Sequence, residues 1–412
     1  MIHRNGWCKL AFGLSIATAA LAAAANGRAA PTPCQNPYCV GVWYFTAWNT
    51  EAPPDYAVSA RAVYGRIDPW VGVRDYVAGK GATKIIDPAT GKDANFADRE
   101  PSLGFYDASS QRVVDEQIRE AASEGIGFFA FYWYLDINTG REQSMDNPIH
   151  KFFSSSDADL MHFALAPMVG KHQRNLSYND WLSNTIPQLI SYMASDSYLR
   201  VDDRPIVFDW QLPFGSAQEH RAALARLREV SRARFGVEPL VLVVLSGDDN
   251  HRKFLQLRDA WGVDGATCFG IHIAGTPEPY ANMVQRGVRQ TSEQVTAPDG
   301  HVDSSMIYVP CGSTGIDARP WFRVGGFPRY DRGPDVRPRT TKPTLQEFKL
   351  HLSNIRSFID QHQVQTSNMV TLYAWNEWGE AAASVEPSRL SGYSYADIIR
   401  QVFDLKPRSS RP

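Results

Sequence analysis

The sequence shows no excess of positive charge: 42 Lys and Arg stand against 44 Asp and Glu, for a formal net charge of -2. Proteins that hold nucleic acid usually carry a basic surplus, so no nucleic-acid partner is expected. There is no glycine-rich phosphate loop after an early strand, no HExxH pair and no G-x-S-x-G elbow. Those absences remove the usual sequence signs of P-loop chemistry, zinc proteolysis and serine hydrolysis. Cysteine is sparse, five in 412 residues, and none falls in a C-x-x-C or Cys/His pattern that would hold a structural zinc. Beyond the first thirty residues no apolar run is long enough to span a bilayer.

Residues 1–30 have their own grammar. "MIHRNGWCK" carries Arg4 and Lys9, "LAFGLSIATAALAAAA" is apolar and small, and "NGRAA" offers small residues for cleavage. Basic, apolar, small is the order of a secretory signal. The expectation is cleavage between Ala25 and Ala30 and a secreted or periplasmic chain with no membrane span; a retained N-terminal anchor is the alternative. Four cysteines follow, an even number that suits an oxidising compartment. Cys34 with Cys39 would close a small loop, and Cys268 with Cys311 would join two late segments. Four buried free thiols are the other reading.

Eight short apolar runs recur after residue 30: "CVGVWYFTAW", "GFFAFYWYL", "HFALAPMVG", "RPIVFDW", "PLVLVVLSG", "ATCFGIHI", "SMIYVPCG" and "MVTLYAWNE". They are near-continuous in apolar content, as parallel strands covered on both faces are. Helical patterns lie between them, clearest in 109–125, 217–236, 344–362 and 395–403. The third opens on Thr344 with Glu347 three residues later, a capping box. The segments after the second and sixth runs are harder to read. Strand and helix in alternation predict an α/β (β/α)8 barrel, one domain over 31–412. A doubly wound open sheet would call for the missing phosphate loop. Long connections, 50–108 and 312–343, follow the first and seventh strands, and loops of that length are usually functional or disordered.

In such barrels chemistry collects where strands end. The runs end near Trp48, Asp136, His172, Asp209 with Trp210, Asp248 with Asp249, His272 and Glu377. The last run continues as "AWNEWGE", which sets Glu377 and Glu380 three apart. Residues three apart in a strand face opposite ways. Both carboxylates can meet one pocket only if the strand ends between them, with Glu377 as its last residue and Gly379 in the turn. Two close carboxylates beside indoles push one pKa upward, so that one can donate a proton while the other accepts. Glycoside hydrolysis needs that division. Trp48, Trp210 and Trp378 are candidate platforms for sugar rings. His172 and His272 read as polar contacts, since no third metal ligand stands at a telling spacing. Arg319 opens an arginine-rich stretch that would suit an acidic substrate, or simply a solvated loop.

"AWNEWGE" with a later "EP" resembles the signature of glycoside hydrolase family 99 and its WbsX-type relatives, (β/α)8 enzymes of the endo-α-mannosidase type. "VWYFTAW" and "GIGFFAFYWY" resemble their first two strands, and "GIDARP" is a looser echo. The resemblance implies that Glu377 acts as a base on the sugar 2-hydroxyl and that Glu380 protonates the leaving oxygen and later activates water. The outcome would be retention through a 1,2-anhydro sugar. No metal or organic cofactor is implied. Two departures stand out: Ala381 replaces a usual glycine, and Glu386 lies one residue further along than its counterparts. The substrate would be an oligo- or polysaccharide, contacted by Trp48, Asp136, His172, Asp209, Trp210, His272, Arg319, Asn376, Trp378 and Glu386. A non-catalytic glycan-binding barrel in surface-polysaccharide processing or assembly is the second reading, and the sequence specifies no oligomeric state.

Overall fold

All eight apolar runs form parallel strands in the computed structural model, which describes residue 34 and residues 37–49, 68–79, 96–169, 175–246, 249–270, 278–297, 299–320 and 339–409. The strands are β1 (Cys39–Tyr44), β2 (Phe128–Leu135), β3 (His162–Val169), β4 (Arg204–Asp209), β5 (Leu240–Leu245), β6 (Gly265–Cys268), β7 (Ile307–Val309 and Cys311–Ser313) and β8 (Met369–Tyr373). Neighbours pair in chain order, and β8 pairs with β1. The ring closes through β7. Its first half pairs with β6 and its second half with β8. Pro310 separates the halves because it has no N–H to give the ladder. Its carbonyl still accepts from Thr371 N at 3.0 Å.

Alternation sorts each strand into two layers. Val40, Val42 and Tyr44 of β1 pack outward with Phe129, Phe131, Trp133 and Leu135 of β2, among the helices. Trp43 packs inward with Phe128, Ala130 and Tyr132. Gly41 belongs to the inner face, where the Phe128 ring fills the space a side chain would need: an added Cβ would lie 2.0 Å from it. This packing explains why "FFAFYWYL" carries apolar residues at every position.

The readable helices appear as Gln111–Ser123, Ala217–Phe235, Leu345–Gln361 and Ser394–Val402. Thr344 and Glu347 form the expected capping box. Ser216 caps the second by accepting from Glu219 N, and Gly236 ends it in the left-handed region. The obscure segments hold Asn147–Ser154 and Tyr280–Val295. Neither has a side-chain cap. Both cysteine pairs are bonded, Cys34 to Cys39 and Cys268 to Cys311. The second ties the end of β6 to the second half of β7. Residues 31–412 make one unit. Residues 1–30 lie outside the described residues, as does most of the two long connections. Among the described residues no helix is long and apolar enough to cross a membrane.

Candidate active site

The chain leaves the barrel earlier than the sequence pattern implies. β8 ends at Tyr373, so Glu377 is not its last strand residue. Pairing with the first strand's segment nevertheless continues. Trp375 N donates to Trp43 O at 2.8 Å. The Asn376 side chain then imitates a strand backbone: its Oδ1 accepts from Phe45 N at 2.7 Å and its Nδ2 donates to Phe45 O at 2.9 Å. Trp48 Nε1 donates to Asn376 O at 2.6 Å. These contacts hold the chain still just before the carboxylates.

A turn follows. Glu377 O accepts from Glu380 N at 3.1 Å and from Ala381 N at 2.8 Å. Gly379 lies in it outside the left-handed region, so the turn does not draw on glycine's extra freedom. Glu377 is 4% exposed and its carboxyl accepts no hydrogen bond from the described residues. Burial, and then the charge of Glu380, hold it well above the usual carboxylate range. Glu380 is half-buried. Its Oε1 accepts from Tyr373 Oη at 2.5 Å.

Aromatic side chains from β1, β2 and β8 and from the ends of β4 and β6 stand around this pair. Trp43 and Tyr132 stack with centroids 5.7 Å apart, Trp210 sits edge-on to Trp43 at 5.3 Å, and Phe269 touches Trp210 at 4.7 Å and Tyr373 at 4.5 Å. The hydroxyls of Tyr132, Tyr134 and Tyr373 are pushed up, first by burial and then by the two glutamates, joined at Tyr134 by Asp146. They therefore stay protonated and can only act as neutral donors or acceptors. Tyr132 Oη and Trp43 Nε1 are buried without a hydrogen-bond partner.

Of the residues read from sequence, Glu377, Glu380 and the half-buried Trp210 come together at this mouth. The rest are placed otherwise. Trp48 is fully buried and stacks on Trp70 with centroids 3.9 Å apart, so it offers no face to a ligand. Asn376 is spent on Phe45. Trp378 is buried and donates through Nε1 to Glu386 Oε2 at 2.6 Å. Glu386 also accepts from Tyr106 at 2.8 Å and Gln117 at 2.7 Å, which makes it an anchor between the loop and the Gln111–Ser123 helix. Asp209 is buried against His220 Nε2 at 2.7 Å. Asp136 caps a turn by accepting from Asn138 N at 2.9 Å. Arg319 is buried and forks onto Asp317, with Nε to Oδ1 at 2.7 Å and Nη2 to Oδ2. Buried and held against Asp317 in this way, the described Arg319 does not face solvent. His172 and His272 lie outside the described residues, as do Asp248 and residues 321–338 of the arginine-rich stretch.

Arg99 was not visible as a site residue. It reaches the turn from the long first connection, donating to Asp317 O at 2.8 Å, with its guanidinium 4.9 Å from the Phe96 ring centre. Nothing in "ADREP" separates it from an ordinary surface arginine. Tyr132, Phe269 and Tyr373 were missed too. Strand parity relative to Trp43 could have found Tyr132, but only with the register known.

Comparison with known proteins bears on this arrangement. The solved structure of a family 99 endo-α-mannosidase from Bacteroides thetaiotaomicron is similar, at 13% identity and a TM-score of 0.50, covering 89% of this chain and 96% of that one. A protein described as glycoside hydrolase-like is similar at 14% identity and a TM-score of 0.54, covering 90% and 95%. At such identities the likeness speaks of the fold, a glycoside hydrolase-like barrel. The uncharacterized protein WxcX of Xanthomonas campestris pv. campestris is 27% identical over 331 residues, 74% of this chain and 43% of its own length. The chain thus spans less than half of that curated relative. The model of the family described as Glycosyltransferase WbsX matches residues 96–399, which takes in β2 to β8 and the carboxylate turn. The chain belongs to the WbsX glycosyltransferase family.

Proposed function

We propose that the protein is a retaining glycoside hydrolase acting on an oligo- or polysaccharide, with Glu377 and Glu380 as its catalytic pair. The carrying observation is that both sit on one turn at the end of β8, one buried without donors and the other half-open and hydrogen-bonded. The close pair shares one proton; with it on Glu380, Glu377 is an ionised carboxyl without donors and so a stronger base than one in water. Glu377 takes the proton of the sugar 2-hydroxyl as that oxygen bonds to C1. The bond from C1 to the leaving oxygen breaks, and Glu380 gives that oxygen its proton. Water then opens the 1,2-anhydro ring: Glu380 takes a proton from water and Glu377 returns one to the 2-oxygen. Each inversion at C1 cancels the other, so the product keeps its configuration.

The family's name favours a second outcome, transfer. If a sugar hydroxyl replaces water in the second step, the same two carboxyls form a new glycosidic bond. Incubation with a panel of bacterial glycans, read by product mass, separates the possibilities. New reducing ends are expected. Longer products would indicate transfer, and binding without any change in mass would leave only a glycan-binding barrel.

A further inference from the structure

We infer that Tyr373 is a positioning residue: its hydroxyl orients the Glu380 carboxyl and steadies it whenever it carries charge, an inference that rests on the hydrolase reading. The two residues differ in how firmly they are held. Tyr373 is the last residue of β8, fully buried, with its ring against Phe269 and its carbonyl accepting from Thr314 N at 3.1 Å. Glu380 sits outside the barrel on a turn flanked by Gly379 and Ala381. A glutamate side chain has several rotamers, and ordering them costs entropy. A hydrogen bond of 2.5 Å from a barrel-fixed hydroxyl selects one.

The same bond matters twice in the reaction. After the first step Glu380 is a carboxylate, and a hydrogen bond to the charged form favours it. The carboxylate must then take a proton from water, in the same orientation. Tyr373 stays a donor throughout, because burial, Glu380 and Glu377 push its hydroxyl well above the usual phenol range. Among the described residues the titratable groups facing it include Glu380 and Glu377 from the turn, Tyr132 from β2, and Arg99. Arg99 shares Asp317 with Arg319 and donates to the carbonyls of Asp317 and Trp378, so its guanidinium is directed at those groups and does not take the place of the phenol.

The test is Tyr373→Phe, which keeps the ring and removes the hydroxyl. On a glycan cleaved by the wild type, kcat should fall by about 10- to 100-fold while KM stays within about threefold. The alkaline limb of the pH profile should move upward, because the charged form of Glu380 loses a donor. Aryl glycosides with nitrophenol leaving groups should lose less than glycans, since they need less proton donation. An unmoved limb with equal losses on both substrates would make Tyr373 merely structural and overturn the inference. A second readout needs no substrate: carbon-13 titration of glutamate carboxyls in the free protein, with Glu380→Gln to assign the signal. An upward shift of Glu380 in Tyr373→Phe supports the contact even if no glycan is cleaved, in which case the hydrolase reading fails and the contact between Tyr373 and Glu380 stands without a catalytic role. An unshifted signal overturns it whatever the activity.

Discussion

A carboxyl whose burial outweighs its hydrogen bonds is more comfortable protonated, and three such groups are found here. Glu377 is one. Glu386, despite its three donors, is pushed by burial to about 7. Glu120, on the helix that also supplies Gln117, is pushed to about 8 by burial and then by Glu386, and its Oε2 has no partner. Their folded pKa values lie above the unfolded value, so the folded state holds more protons through the window between them. Stability from these groups is therefore present at low pH and falls as pH rises from about 4.5 to about 8. Glu120→Gln should flatten that fall: its melting temperature should match the wild type near pH 4.5 and exceed it at pH 8, as a pH series of thermal melts would show. A difference that shrinks with pH would put Glu120 in another environment. The site residues were legible at this scale only where chemistry names them. Two glutamates among indoles stand out in "AWNEWGE". Tyr132 does not, because in "FFAFYWYL" both faces are apolar and the sequence alone cannot say which ring points inward.

Elements were legible where one face or one cap dominates. The eight strands could be read because each is buried on both sides, and the long helices because serine, threonine and glycine mark their ends. The end of β8 could not be read, since a side chain replaces the backbone as its pairing partner there. Asn376 satisfies both the N–H and the C=O of Phe45 in a fully buried setting. Asn376→Ala leaves both groups unpaired, which should cost about 2–4 kcal/mol. Urea unfolding should show it as a lower midpoint at unchanged slope. A midpoint within error of the wild type would mean that Phe45 finds other partners. Because Asn376 directly precedes Glu377, its loss should also loosen the turn, so the element that closes the barrel also sets the aim of the carboxylate.

At the scale of the whole molecule, the barrel's closure and the site are one construction. β7 breaks at Pro310 and β8 stops at Tyr373, and the chain segments released there meet: Asp317 N donates to Glu380 O at 2.6 Å, and Ile316 pairs with Ala381. Ala381 is therefore part of a short bridge between the two connections. The loop that follows returns to the Gln111–Ser123 helix through Glu386. Its buried residues, Glu386 among them, pack beneath Trp378. The central claim is that one turn carries both halves of the reaction. Its most direct test is the turnover of Glu377→Gln and Glu380→Gln on a glycan that the wild type cleaves, with circular dichroism and melting temperature as controls. Each variant should fold like the wild type and lose roughly 10³-fold or more in turnover. Wild-type turnover in either variant, with the fold intact, would contradict the account.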